Sequence, residues 1–183
     1  MMIKICGITR REDALAAVEA GASAVGFIFF PKSPRYVTPA TAAMLGAGLD
    51  ILKVGVFVDE SPAAIEAVMQ AAKLDVAQIY GTSFPETVRI WKAFRPAHQV
   101  TTNGAEAILL DGPANGVSFD WAIARDANHK IIIAGGLHAS NVAEAIRIAQ
   151  PWGVDASSRL ESAPGIKDHE KMRAFVKAAQ EAQ

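Results

Sequence analysis

Residues 2–30, MIKICGITRREDALAAVEAGASAVGFIFF, contain one complete strand–helix–strand pattern. The runs MIKIC and SAVGFIFF are short and apolar, whereas REDALAAVEAGA between them is rich in alanine and carries apolar residues at helical spacing. Two strands joined through a helix run parallel in a sheet. This stretch therefore predicts buried parallel strands covered by helices.

The same alternation continues almost to the end of the chain. Six further strand-like runs follow: LKVGVFV, DVAQIY, RIWKAF, AILLD, KIIIAG and WGVDAS. The further helix-like runs are TPATAAMLGAGL, SPAAIEAVMQAAK, FDWAIARDA, ASNVAEAIRIAQ and KDHEKMRAFVKAAQEA. Helix starts are indicated by N-cap residue types at Thr38, Ser61, Ser140 and Asp168.

Eight strand candidates joined by helices favour a closed parallel barrel formed by a single domain, residues 1–183. An open doubly wound sheet is the alternative, and it would also bind a ligand at the carboxyl ends of its strands. After the fifth strand, PAHQVTTNGAE has no clear amphipathic pattern, so a loop is expected to replace one helix there. The length of 183 residues is below the roughly 200 at which such barrels usually begin.

Composition and charge exclude several classes of function. Lys and Arg total 18 against 19 for Asp and Glu, so no basic surplus indicates binding to nucleic acid or to an anionic membrane. The one cysteine cannot form an internal disulfide, and the four histidines lack the spacing of a zinc site. No apolar run is long enough to cross a bilayer. We expect a cytoplasmic protein without a bound metal.

Cys6 ends the first strand and Asp111 ends the sixth, so a barrel would place a thiol and a carboxyl group at one mouth. A thiol acts as a base or nucleophile where positive charge lowers its pKa, and Lys4 and Arg10 flank Cys6. Gly7 would let the chain turn away after the thiol. The alternatives are a buried structural cysteine, a turn or capping aspartate, and a Lys4 that is solvated or paired between strands.

An anion site is predicted at the ends of the last two strands. Gly135 and Gly136 follow KIIIA and precede a helix, so their N–H groups could bind a phosphate, although a plain turn is as frequent. Ser157, Ser158 and Arg159 follow the next strand, at the place where barrels commonly bind phosphate. Asp155 in WGVDAS is a further candidate for this mouth.

The chain resembles the phosphoribosylanthranilate isomerases of tryptophan biosynthesis, which are (βα)8 TIM barrels. The resemblance is carried by eleven segments in the expected order: KICGIT, GFIFFPKSPRYV, KVGVFVDE, VAQIYG, WKAF, LLDG, FDW, IIAGGL, NVAEAI, GVDASS and SAPGIKD. They span nearly the whole chain, and their order is far more specific than any one of them.

The resemblance implies an Amadori rearrangement of N-(5'-phosphoribosyl)anthranilate to the carboxyphenylamino-deoxyribulose phosphate, without a redox cofactor or metal. It implies Cys6 in KICGIT as the general base, Asp111 in LLDG as the general acid, and Arg35 in SPRYV as the group that binds the anthranilate carboxylate. The protein would act as a monomer or a homodimer. The chain departs from the family at Tyr80, where histidine is usual, at Arg159, where glycine is common, and in the short segments after YG and LLD.

Two alternatives remain. The first is a related barrel enzyme, either the histidine-pathway ribonucleotide isomerase or a pentulose-phosphate epimerase, which would need a first-strand aspartate or metal-binding histidines respectively. The second is a non-catalytic or weakly active phosphosugar-binding barrel, which the shortened segments favour.

Overall fold

The computed structural model describes residues 1–95, 104–112, 121–125 and 128–182. Eight strands form one closed barrel in which each strand pairs in parallel with the next and β8 pairs with β1. They are β1 Met2–Cys6, β2 Ala24–Ile28, β3 Leu52–Val58, β4 Val76–Tyr80, β5 Ile90–Phe94, β6 Ala107–Asp111, β7 Ile131–Ala134 and β8 Gly153–Ala156. The predicted barrel is confirmed, and the open doubly wound sheet is wrong.

Among the described residues, five α-helices cover the barrel. They are α1 Arg11–Ala20, α2 Pro39–Gly46, α3 Pro62–Ala72, α4 Val142–Ala149 and α5 His169–Glu181. As predicted, the described residues between β5 and β6 contain no helix; residues 81–89, between β4 and β5, contain none either. In the described part of the run FDWAIARDA, Trp121–Ala124 form a 3₁₀ helix, and the other residues of the run except Arg125 lie outside the described part. Such short connections let 183 residues close a barrel.

Three of the four predicted helix starts are confirmed. Thr38 accepts a hydrogen bond from the Thr41 N–H at 3.1 Å, and Asp168 caps α5 by accepting from two N–H groups. Ser61 caps α3 in the same way. The prediction at Ser140 is wrong: α4 starts one residue later, at an Asn141 N-cap, because the Ser140 hydroxyl bonds the ring of His138 at 2.8 Å instead.

Strand alternation divides the buried side chains into two layers. One layer fills the barrel interior and consists of Met2, Ala24, Val54, Val76, Trp91, Ala93, Ala107, Leu109, Ile132 and Ala134. The other lies between the strands and the helices, and it includes Ile3, Ile5, Phe27 and Phe175. Because the apolar interior layer fills the lower barrel, polar side chains at the carboxyl ends of the strands are left to line the mouth.

The segment after β8 contains an antiparallel hairpin that the sequence patterns did not predict. Its strands are β9, Glu161–Ala163, and β10, Ile166–Lys167, and Gly165 turns between them with a φ of 80°. The hairpin is joined to α1 through the buried carboxylate of Asp13, which accepts from the Lys167 N–H at 3.1 Å. No helix within the described ranges is both long enough and apolar enough to cross a bilayer.

Candidate active site

A cavity of about 510 Å³ opens at the carboxyl ends of the barrel strands. Every site residue predicted from the sequence lines it: Cys6, Arg35, Asp111, Gly135, Gly136, Asp155, Ser157, Ser158 and Arg159. Residues up to 153 positions apart in the sequence thus line one cavity.

One glycine leaves room for Cys6, and a second leaves room for the arginine beside it. Cys6 is buried at the end of β1, and a Cβ at Gly26 on the neighbouring strand would lie only 2.8 Å from its Sγ. Gly7 has a φ of 75°, and a Cβ there would lie 2.5 Å from Cδ of Arg35. The predicted turn after the thiol is confirmed, because only glycine fits both the backbone conformation and the arginine beside it.

The electrostatic surroundings of Cys6 differ from the expectation. Burial raises the pKa of the Cys6 thiol, although the ammonium group of Lys4 opposes this. Lys4 is wholly buried inside the barrel and forms an ion pair with Asp155 at 3.0 Å, so the paired alternative is correct and the solvated one is wrong. Arg10 instead binds Asp13 and Glu12. Burial therefore favours the protonated thiol of Cys6 over the thiolate.

Asp111 lies at the last position of β6 and is half-buried. Burial raises its pKa, although the Tyr80 hydroxyl, which donates to Oδ2 at 3.0 Å, favours the charged form and partly offsets this. A raised pKa is what a carboxyl group needs if it is to hold a transferable proton.

The guanidinium group of Arg35 is held in place by the hairpin. Its Nε and Nη2 donate to the two carboxylate oxygens of Glu161, both at 2.7 Å. Lys167 binds the same carboxylate at 2.9 Å. Two cations thus share one anion, and Nη1 of Arg35 donates to no described residue. The outer edge of the guanidinium therefore remains available for a second carboxylate.

The predicted anion site lies between the ends of β7 and β8. Gly135 and Gly136 have φ values of 88° and 68°, and a Cβ at Gly135 would meet the Gly112 nitrogen at 2.4 Å. The N–H groups of Gly136, Ser158 and Arg159 donate to no described residue, and all three residues line the cavity. Backbone donors of this kind suit a phosphate group.

Sequence reasoning missed several residues of the site. Glu161 has no role predicted from the sequence, but its side chain is only 5% exposed because the hairpin folds back over the mouth. Tyr80 lines the mouth and donates to Asp111, a contact that its place in VAQIYG does not predict. The available signal was the position of Glu161 beside the conspicuous SAPGIKD segment.

The arrangement is suited to proton transfer rather than to metal chemistry. A thiol and a carboxyl group with a raised pKa face one cavity, beside a cation with a free edge and a set of free backbone donors. In the described ranges, no group of three or more His, Cys, Asp or Glu side chains is placed to hold a metal ion.

The model of the N-(5'-phosphoribosyl)anthranilate (PRA) isomerase family matches residues 3–178. The N-(5'-phosphoribosyl)anthranilate isomerase of Solibacter usitatus is 49% identical over 197 aligned positions, which cover 100% of this chain and 98% of the relative. That of Trichlorobacter lovleyi is 43% identical, with 98% of both chains covered. Since the first alignment has 197 positions and the chain has 183 residues, at least 14 positions of the relative have no counterpart here.

Solved structures give the same result. The phosphoribosyl anthranilate isomerase of Thermus thermophilus has a TM-score of 0.90 and 35% identity, with 100% of both chains covered. A phosphoribosyl anthranilate isomerase in complex with reduced 1-(o-carboxyphenylamino)-1-deoxyribulose 5-phosphate has a TM-score of 0.87 and 37% identity, with 99% of both covered. A structure of monomers generated from the dimeric enzyme of Thermotoga maritima has a TM-score of 0.87 and 36% identity, with the same coverage.

Proposed function

The chain belongs to the N-(5'-phosphoribosyl)anthranilate isomerase family, and on this premise we propose that Cys6 is the general base and Asp111 the general acid of its reaction. The reaction is the isomerisation of N-(5'-phosphoribosyl)anthranilate in tryptophan biosynthesis. The observation that carries the residue assignment is that both side chains line one cavity, each from the carboxyl end of its own strand.

Ring opening comes first. Asp111 donates its proton to the furanose ring oxygen, the bond from that oxygen to C1 breaks, and the nitrogen lone pair forms a C1=N iminium. The Cys6 thiol passes its proton to solvent at the mouth of the barrel, and the resulting thiolate then removes the proton from C2. The electrons of the C2–H bond form a C1=C2 double bond, and those of C1=N return to nitrogen. The resulting enol becomes the ketone when its hydroxyl loses a proton and C1 gains one.

The raised pKa of Cys6 fits this order of steps. In the free protein burial favours the thiol, but ring opening produces a cationic iminium next to it. Nearby positive charge favours the thiolate, so the base becomes available when the intermediate that needs it has formed. The ammonium group of Lys4, two residues earlier on the same strand, also favours the thiolate of Cys6.

Substrate binding uses the rest of the cavity. The free edge of Arg35 would bind the anthranilate carboxylate, while the N–H groups of Gly135, Gly136, Ser158 and Arg159 would bind the phosphate. Oδ1 of Asp155 and Oγ of Ser157 are buried and have no hydrogen-bond partner among the described residues. A sugar hydroxyl would satisfy such groups, whose burial unpaired is costly.

Anthranilate fluorescence provides the test. Cys6→Ser and Asp111→Asn should keep the fold and product binding but lose about 10² to 10⁴ in kcat, the usual size of a general acid or base contribution. Arg35→Ala should instead raise KM, at a cost of about 2 kcal/mol. Glu161 stays paired with Lys167 in that variant, so no buried carboxylate is left alone.

Asp50→Asn is the matched control, since it makes the same chemical change at an exposed position. If Cys6→Ser and Asp111→Asn retain the parent kcat, the assignment is wrong. If the parent binds the reduced product but never turns over substrate, the chain is a phosphosugar-binding barrel.

We further propose that residues 1–183 form a single domain that acts in the cytoplasm without nucleic acid, as a monomer or a homodimer. The support is the single closed barrel, the near-neutral net charge of -1, and the dimeric state of the Thermotoga maritima relative.

A further inference from the structure

The hydroxyl of Tyr80 reaches Asp111 across the mouth of the barrel. Tyr80 ends β4 and Asp111 ends β6, so β5 lies between them. The phenol oxygen nevertheless lies 3.0 Å from Oδ2 of Asp111. On β5 the last interior side chain is the small Ala93, and Tyr80 packs against the apolar layer to which Ala93 belongs. Tyr80 and Asp111 therefore meet across the opening of the barrel, because their strands, β4 and β6, are not paired with each other.

Gln78 fixes the direction of this hydrogen bond. It lies two residues earlier on the same face of β4, is 1% exposed, and donates from Nε2 to the Tyr80 oxygen at 3.4 Å. Since the phenol oxygen accepts from Gln78, its own proton is directed towards Asp111. Burial raises the pKa of Tyr80 well above its usual value, and the Asp111 charge adds to this, so the phenol stays a donor at neutral pH.

The two oxygens of Asp111 are consequently different. Oδ2 accepts from Tyr80, whereas Oδ1 accepts from no described residue, and the side chain lines the cavity. A protonated carboxyl group carries its proton on one oxygen, and the oxygen that already accepts a hydrogen bond is the poorer place for it. The transferable proton belongs on Oδ1.

We propose that Tyr80 is a positioning residue, which places the acidic proton of Asp111 on Oδ1 and holds that oxygen towards the substrate. This inference rests on the proposed function, because it requires Asp111 to be the general acid. Tyr80 itself transfers no proton in this scheme. Its contribution is the orientation of the donor, which proton transfer requires.

Tyr80→Phe removes only the hydroxyl. We expect kcat to fall about 10-fold while KM changes less than about 2-fold, as for an interaction that matters in the transition state. Loss of the donor also favours the protonated carboxyl group, so the pKa of Asp111 should rise. The part of the pH profile of kcat/KM that reports the ionisation of Asp111 should therefore move to higher pH. Tyr36→Phe is the matched control, since Tyr36 is 41% exposed and does not line the cavity.

Two further measurements separate this role from simple packing. The pH dependence of Cys6 alkylation by iodoacetamide gives the pKa of the thiol in the free protein. The other pKa seen in the pH profile of kcat/KM can then be assigned to Asp111. In an Asp111→Asn background, Tyr80→Phe should cause no further loss of kcat, because a residue that acts through Asp111 has nothing left to position. Tyr80→His, which restores a donor, should recover part of the Tyr80→Phe loss.

The outcomes distinguish the two proposals. An unchanged kcat in Tyr80→Phe, a loss without a rise in the pKa of Asp111, or a loss that adds fully to that of Asp111→Asn would overturn the role of Tyr80 alone. Full kcat in Asp111→Asn would overturn the proposed function, and the role of Tyr80 with it.

Discussion

Lys4 carries a full positive charge in the interior of the barrel, directly beneath the thiol. Burial by itself would lower its pKa, but Asp155 and Cys6 more than compensate and hold the pKa above its usual value. Its nitrogen lies 3.0 Å from Asp155. A buried pair of this kind contributes little net stability, yet removal of one partner leaves the other charge buried and unpaired.

Lys4→Met should therefore destabilise the protein by about 3 to 5 kcal/mol in urea unfolding. It should also raise the pKa of Cys6 further, because the ammonium group that opposes the effect of burial is gone. The pH dependence of Cys6 alkylation measures this second effect.

Lys53→Met is the control for this prediction. Lys53 forms an ion pair of almost the same length with Asp75, 2.9 Å, but both partners are partly exposed. Its loss should cost no more than about 1 kcal/mol. Equal losses of unfolding free energy in the two variants would contradict the role assigned to the buried charge. So would a pH dependence of Cys6 alkylation that is unchanged in Lys4→Met.

At the scale of elements, Asp13 joins three pieces of structure. Its wholly buried carboxylate accepts from Arg10 before α1, from the ring of His169 at the start of α5, and from the Lys167 N–H of β10. Burial would raise the pKa of Asp13, but these donors together hold it below its usual value. The hairpin that carries Glu161 is thereby fixed to the helical layer.

Asp13→Asn should reduce the free energy of unfolding by about 2 kcal/mol at neutral pH, since it removes a charged acceptor from buried donors. Because the pKa of Asp13 is lower in the folded state, its contribution is complete above the unfolded value of about 4 and is lost as the pH falls through the folded value. The free energies of unfolding of the parent and of Asp13→Asn should therefore become equal at acid pH. A difference that persists unchanged to about pH 2 would show that the charge of Asp13 is not the cause.

The strands could be predicted from the sequence far better than the segments between them. β1, β3 and β6 agree residue for residue with MIKIC, LKVGVFV and AILLD, because a strand buried on both faces is apolar along most of its length. The described part of FDWAIARDA contains a 3₁₀ helix instead of the expected α-helix, and the hairpin Glu161–Lys167 was not foreseen. Both depend on what the segment packs against, which periodicity does not encode.

The same limit applies to the site. Strand-end position was sufficient to place Cys6, Asp111 and Asp155 at one mouth, since parallel strands bring their carboxyl ends together. The contact of Tyr80 with Asp111 depends on the distance across the barrel opening, which the sequence does not give. The contact of Glu161 with Arg35 depends on how the hairpin after β8 folds. The direction of the Cys6 pKa also depends on burial, which adjacent lysine and arginine residues do not reveal.

At the scale of the whole molecule, the chain keeps the complete barrel while its connections are reduced. At least 14 positions of the Solibacter usitatus relative have no counterpart, and residues 81–89 join β4 to β5 without a helix. All eight strands still pair around the barrel, and the cavity at their ends retains every predicted site residue. The closed sheet, rather than a full set of helices, positions the site.

The most direct test of the central claim, that Cys6 and Asp111 act on one substrate from opposite sides, is a crystal structure of this protein with reduced 1-(o-carboxyphenylamino)-1-deoxyribulose 5-phosphate. We expect Sγ of Cys6 to lie beside C2 of the ligand, with Oδ1 of Asp111 on the opposite side beside the oxygen derived from the ring. The ligand carboxylate should bind the free edge of Arg35. A complex in which C2 lies beyond contact with Cys6, or in which both groups lie on one side of the ligand, would contradict the account.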